Sequence, residues 1–250
     1  MTGRMIRTEI AVPGAIISHR EEYWLAVFNI VELASFFLAP ESVSMSDYAH
    51  ITSVEDLEAL YGTANPISIA KEASFLTAAY REWLESAPFF ALASVGEGGL
   101  DCSPRGDAAG QLFQIVDERT LIIPDRRGNN RLDTLKNIIG DPRVALLFLM
   151  PGINETLRIN GKARLTTDAN LLDQFVVAGK KPLTVIIIDI EAVYFQCARA
   201  LVRSDLWNGN AQITRTDVPT AGQMTKSALS DFDAEAYDAE LVERQKRTLY

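Results

Sequence analysis

Phe89-Phe-Ala-Leu-Ala-Ser-Val-Gly-Glu-Gly-Gly-Leu-Asp-Cys-Ser103 decides the fold class. Before Pro88 the apolar residues recur at helical spacing. After it they follow the two-residue period of a strand. Phe89 to Val95 reads as a strand, Gly96 to Gly99 as a hairpin turn, and Leu100 to Ser103 as the returning strand. The same pattern continues downstream. Gln111 to Val116 and Leu121 to Pro124 flank the turn Asp117 to Arg119, and Arg143 to Met150 and Glu155 to Thr166 flank Pro151-Gly-Ile-Asn154. Thr184 to Phe195 is the last long strand. Six or seven strands joined mostly by hairpins, with helices outside them, predict a mainly β, α+β protein: a small closed or split antiparallel β-barrel. A Rossmann fold is disfavoured, because no G-x-G-x-x-G follows a first strand and β-α alternation is missing.

Helical patterns surround this block. Ser53-Val-Glu-Asp56 opens a short helix that stops at Gly62. Ile69 to Ser86 reads as one longer helix, with Ala70, Ala73, Leu76, Tyr80, Trp83 and Leu84 as its core stripe. Asp168 caps a helix to Val177, and Asp231 to Thr248 forms another, able to pack on a partner or on the barrel.

Residues 1–50 read as an N-terminal appendage and 51–250 as the organised domain. Tyr23 to Ala39 is apolar but carries Asn29, Glu32 and Ser35 and follows Glu21-Glu22. It falls short of the ~20 clean residues a membrane span needs, and the glutamates are wrong for a signal peptide. Pro40 to Ser46 resembles a linker, Met45 is a plausible alternative start, and residues 1–44 are expected to be dispensable. No membrane partner and a cytoplasmic location are expected.

A net charge of −9 argues against a nucleic-acid partner. Cys102 and Cys197 are too few and too far apart for a disulfide framework or a metal cluster. His19 and His50 both lie outside the patterned region, which disfavours a histidine triad, a histidine metal site or an axial haem ligand.

On this acidic chain, Ile123-Pro-Asp-Arg-Arg-Gly-Asn-Asn-Arg131 is a local exception. It runs from a strand into a helical pattern, Leu132, Leu135, Ile138 and Ile139, that ends at Gly140-Asp141-Pro142. Asn129 or Asn130 is placed to cap that helix. Free N–H groups at a helix start, with Arg126, Arg127 and Arg131 beside them, suit an anion such as a phosphate. A surface turn with solvated arginines fits the same residues.

Four blocks carry a family resemblance: Ser103-Pro-Arg-Gly-Asp107, Ile122 to Asp133, Pro151 to Gly161, and Gln196 to Trp207. In that order they resemble the pyridoxamine 5′-phosphate oxidase-related FMN-binding proteins, from about Ser53 onward. The resemblance implies a split β-barrel of the FMN-binding type, a homodimer, and FMN in a groove between two subunits. It assigns the phosphate to Arg105, Asn130 and Arg131, the guanidinium forks of the two arginines making paired charge-assisted bonds. Gly106 would allow a close backbone approach, and Asp107 would touch the ribityl hydroxyls or orient Arg105. Thr156 and Arg158 share a strand face, and Arg158 would serve the flavin edge. Arg203 and Trp207 would approach the ring across the dimer. Plainer roles are a salt bridge from Arg131 to Asp133 or Asp141, an acidic partner such as Glu155 or Asp107 for Arg158, and a core position for Trp207.

The stretch after Arg105 lacks the lysine of the oxidase proper, and no Arg-x-His follows His50. Vitamin B6 synthesis is therefore not expected. An FMN-dependent oxidoreductase acting on a small molecule is the expected activity, with the catalytic residues and the electron donor unassigned. A non-catalytic flavin or haem binder and a deazaflavin F420-dependent reductase are the alternatives.

Overall fold

The computed structural model describes residues 48–108 and 110–250. Contacts divide the chain between Thr63 and Ala64. In the first unit, α1 (Val54–Tyr61) starts at Ser53, whose side chain accepts from the Asp56 amide, and ends at Gly62 with φ 70°. Most of the expected appendage, including the linker and Met45, lies outside the described residues.

The second unit carries one antiparallel sheet of seven strands: β1 (Phe89–Gly96), β2 (Gly99–Gly106), β3 (Gln114–Ile115), β4 (Thr120–Pro124), β5 (Arg143–Met150), β6 (Ile153–Thr166) and β7 (Val185–Gln196). Their order is β2-β1-β5-β6-β7-β4-β3, so β2 and β3 are the two edges and the sheet does not close. The strand pattern left a closed or a split antiparallel barrel open, and the fold is the split one that the resemblance implied. Pro104 lies in edge strand β2, opposite Ala91 of β1.

The core follows from alternation. Phe90, Leu92, Leu146, Phe148, Leu157 and Ile159 are essentially inaccessible, and each contributes about 1.5–3 kcal/mol by burial. Phe90 and Phe148 pack with ring centroids 4.8 Å apart. At the β6–β7 bulge, Gly161 is required by a close approach: a Cβ there would sit 2.2 Å from the Asp189 carbonyl oxygen.

Helices α2 (Pro66–Ala70), α3 (Ala78–Glu85), α4 (Asp133–Gly140), α5 (Ala169–Asp173), α6 (Arg199–Ser204), α7 (Ala221–Ala228) and α8 (Ala234–Thr248) complete the unit. The single helix expected over Ile69–Ser86 is two helices. Between them Ala73 exchanges both backbone hydrogen bonds with Val193, and Thr77 caps α3 through the Tyr80 amide. A strand bridge and a new cap outcompete continuation of the helical stripe. β3 is also shorter than Gln111–Val116, because Leu112 and Phe113 turn into the core. Asp168 caps α5 as expected, but the helix ends at Asp173 rather than Val177.

Candidate functional site

The two-residue period of β2 brings Asp101, Ser103 and Arg105 to one half-buried face, while Cys102, Pro104 and Gly106 remain exposed. That face meets the first turn of α4, where Thr134 is the hub. Its Oγ1 donates to Asp101 Oδ2 at 2.5 Å and accepts from Arg105 Nη2 at 3.5 Å. A hydroxyl has one proton to give, so at 2.9 Å Ser103 Oγ donates to Thr134 Oγ1. Arg105 also donates to the Pro104 carbonyl at 3.3 Å and lies 3.8 Å from Asp125 Oδ1. Its Nε is buried without a partner. Burial raises the Asp125 carboxyl above its ordinary value, and Arg105 only partly offsets this.

The loop between β4 and α4 enters the helix in an unusual way. Asn130 and Leu132 have φ of 59° and 63°. Asn tolerates the left-handed region, whereas for Leu it costs roughly 1–2 kcal/mol. Backbone strain of this kind concentrates at functional sites. The cap expected from Asn129 or Asn130 is not formed: Leu132 occupies the N-cap position, and no side chain bonds there. The left-handed turns fold Asn129 back on its own loop, where Oδ1 accepts from the Arg131 amide at 3.1 Å. The first turn of α4 thus opens without a side-chain cap.

A cleft of about 810 Å³ lies here, walled by the inner face of β2, residues 125–131, the start of α4, residues 180–184 and Tyr250. Six basic side chains (Arg105, Arg126, Arg127, Arg131, Lys180 and Lys181) line it against three aspartate side chains, a cationic surface on an acidic chain. Arg131 has its side chain 75% exposed and donates from Nε to Asp133 Oδ2 at 2.8 Å. Arg126 is held in place, donating to Asp107 Oδ2 at 3.1 Å and to the Phe175 carbonyl at 2.6 Å. The Asp107 carboxylate is buried and also accepts from Tyr250 Oη at 2.7 Å and from the Ala108 amide at 2.8 Å. In this chain its partners are therefore protein groups. Gly106 is exposed and pairs with Phe89.

Of the expected residues, Arg105, Asn130 and Arg131 come together in this cleft. The others do not. Cross-strand pairing runs Arg105–Phe90–Phe148–Leu157, which puts Arg105 and Leu157 on one sheet face and Thr156 and Arg158 on the other. Thr156 is buried. Arg158 Nη1 donates to Tyr194 Oη at 3.1 Å, with its guanidinium 5.7 Å from that ring. Neither Glu155 nor Asp107 is its partner. Arg203 is exposed in the last turn of α6, and Trp207 Nε1 donates to the Ile153 carbonyl at 2.8 Å.

Asp101, Ser103, Thr134, Thr184 and Tyr250 were not expected at the site. The alternation that placed Arg105 could have found the first two. Thr134 and Thr184 carry no comparable mark, and Tyr250 arrives from 143 residues away in sequence.

The model of the pyridoxamine 5′-phosphate oxidase family matches residues 76–197. Among the described residues, that segment contains every strand and most of the cleft. Residues 76–197 belong to the pyridoxamine 5′-phosphate oxidase-related family. No curated protein matches the chain. Among solved structures, a variant of HupZ from Group A Streptococcus is 17% identical with TM-score 0.40, covering 48% of this chain and 99% of its own. A pyridoxamine 5′-phosphate oxidase candidate from Lactobacillus delbrueckii is 18% identical with TM-score 0.39, covering 49% and 95%. A protein from Mycobacterium smegmatis described as FAD-binding is 15% identical with TM-score 0.35, covering 50% and 97%. Among the described residues, no helix is long and apolar enough to cross a membrane.

Proposed function

We propose that the chain is an FMN-binding flavoprotein, working as a homodimer and as an oxidoreductase on a small molecule. The observation that carries this reading is the buried, unpartnered Nε of Arg105 beside an uncapped helix start. A buried donor left unsatisfied costs about 1–3 kcal/mol, and an anion at the cleft floor would remove that cost. Thr184, also lining the cleft, has a buried Oγ1 that likewise lacks a partner. These groups fit a mononucleotide phosphate, and the cleft volume lies within the ~300–1,000 Å³ usual for small-ligand sites.

Arg105 and the first-turn amides of α4 would hold the phosphate, with Asn130 and Arg131 closing over it. Exchanging the exposed Arg131–Asp133 pair for a phosphate contact costs little, since such pairs are worth about 0–1 kcal/mol. When bound, the flavin ring supplies the two-electron chemistry. Thr156, Arg158, Arg203 and Trp207 serve the cofactor held by a second copy, which is why they lie away from the cleft. The chain's own task is to seat, orient and shield.

The absorbance spectrum of the purified protein, with mass identification of what it releases on denaturation, tests the cofactor. Flavin mononucleotide is expected, and a colourless protein that takes up none of it would refute the reading. Oxidation of NADH or NADPH with a panel of acceptors then separates an enzyme from a binding protein.

A further inference from the structure

We propose that Tyr250 is a latch: it covers Arg126, orders the wall formed by residues 125–131, and slows escape of the ligand. The segment after β7 lies beyond the family match, yet it returns to the cleft. Three contacts fasten Tyr250 there. Its Oη donates to the buried Asp107 carboxylate at 2.7 Å. Its main-chain oxygen accepts from Lys180 Nζ at 2.7 Å. Its ring stands 5.6 Å from the Arg126 guanidinium, within cation–π range.

Arg126 links this latch to the site. It is the second residue of the loop that turns into α4, and Asp107 follows directly on the strand that carries Arg105. One carboxylate thus ties the end of β2, the arginine loop and the segment after α8 into a single network. Lys180 and Tyr250 join residues 180–184 of the cleft lining to the same network. Tyr250 and Asp107 are positioning residues in this scheme, since they act on the ligand through Arg126 and its loop. The ligand part of the proposal rests on the flavin reading; the covering of Arg126 does not.

The test has two arms. In the first, the full chain without added flavin is treated with phenylglyoxal, and modification of each arginine is quantified by peptide mass. Arg126 starts with its side chain 18% exposed against 75% for Arg131, which serves as the internal reference. Tyr250→Ala should raise the Arg126-to-Arg131 modification ratio several-fold. Tyr250→Phe keeps the ring and should raise it much less. An unchanged ratio in Tyr250→Ala overturns the latch whether or not the protein binds flavin.

In the second arm, release of FMN is followed by recovery of its fluorescence on dilution. Release should be roughly tenfold faster from Tyr250→Ala and roughly threefold faster from Tyr250→Phe, the scale of one lost hydrogen bond to a charged group. An unchanged release rate with a raised modification ratio overturns control of the ligand. A wild-type chain that takes up no FMN, while Tyr250→Ala still raises the ratio, refutes the flavin reading and leaves the latch standing. Melting temperatures of the variants within a few degrees of wild type exclude general unfolding as the cause.

Discussion

The cleft beside α4 and the group around Arg158 carry similar residue types but differ in how they are completed. In the cleft, one chain supplies the floor from β2, the rim from residues 125–131 and the helix opening from α4. It still leaves Arg105 Nε and Thr184 Oγ1 unpaired. Around Arg158 the polar groups have found partners: Tyr194 takes Arg158, and the Ile153 carbonyl takes Trp207. A polar group that has been buried without a partner points to a ligand, whereas a satisfied one is equally at home in plain structure. The first region therefore reads as a site in one copy. Under the proposed homodimer, the second would become one when another copy is brought to it.

The largest effect is expected at the floor of the cleft. Arg105→Ala removes the central cation and strands Asp125, and should weaken FMN binding by about 1.5–3 kcal/mol, roughly ten- to a hundredfold. Equilibrium titration of flavin fluorescence measures this, and an unchanged affinity would erase the distinction between the two regions. Next comes Arg158→Ala, expected to weaken binding by roughly tenfold, within the same range. If the regions meet across a dimer, mixing Arg105→Ala with Arg158→Ala chains should rebuild one intact site in each mixed pair. Flavin bound by the mixture would then exceed that bound by either variant alone, and failure to complement would place both groups in one chain's site.

Arg131→Ala should cost less, about 1 kcal/mol, because its side chain is exposed and already shared with Asp133. Its effect should shrink further in high salt, as titrations at two ionic strengths would reveal. The smallest expected effect is pH dependence from Asp125. Burial lifts its carboxyl above the ordinary 3.8, so protonation begins at a higher pH than for a solvated aspartate. The neutral form no longer repels a phosphate nor competes for Arg105. Binding should therefore tighten as pH falls into that range and weaken as it rises through it. Asp125→Asn should flatten the profile while preserving the cleft, and a profile of unchanged slope would assign the dependence elsewhere.

Much of this architecture is legible from residue order. Strands announce themselves by alternation and hairpins by their glycines, so β1, β2, β5, β6 and β7 fall close to where their patterns put them. The arginine loop is equally visible, because three cations on an acidic chain are conspicuous. The split of the Ile69–Ser86 helix was not legible, since the Ala73–Val193 bridge is a long-range pairing that local periodicity cannot reveal. Nor was the missing cap of α4. Asn129 has the right chemistry, but backbone angles at Asn130 and Leu132 decide where its side chain lands. Asp107 illustrates a third kind of difficulty. Its neighbours on the chain suggest a ligand contact, while its actual partners, Arg126 and Tyr250, come from elsewhere in the fold.

Pro104 also constrains how copies can assemble. An outer strand with a proline in it cannot offer an unbroken row of amide donors, so strand-by-strand extension of the sheet is blocked along that margin. Association between copies along the β2 margin must then be made through side chains rather than through backbone pairing. The same residue that interrupts the ladder guards that margin against running on into fibres.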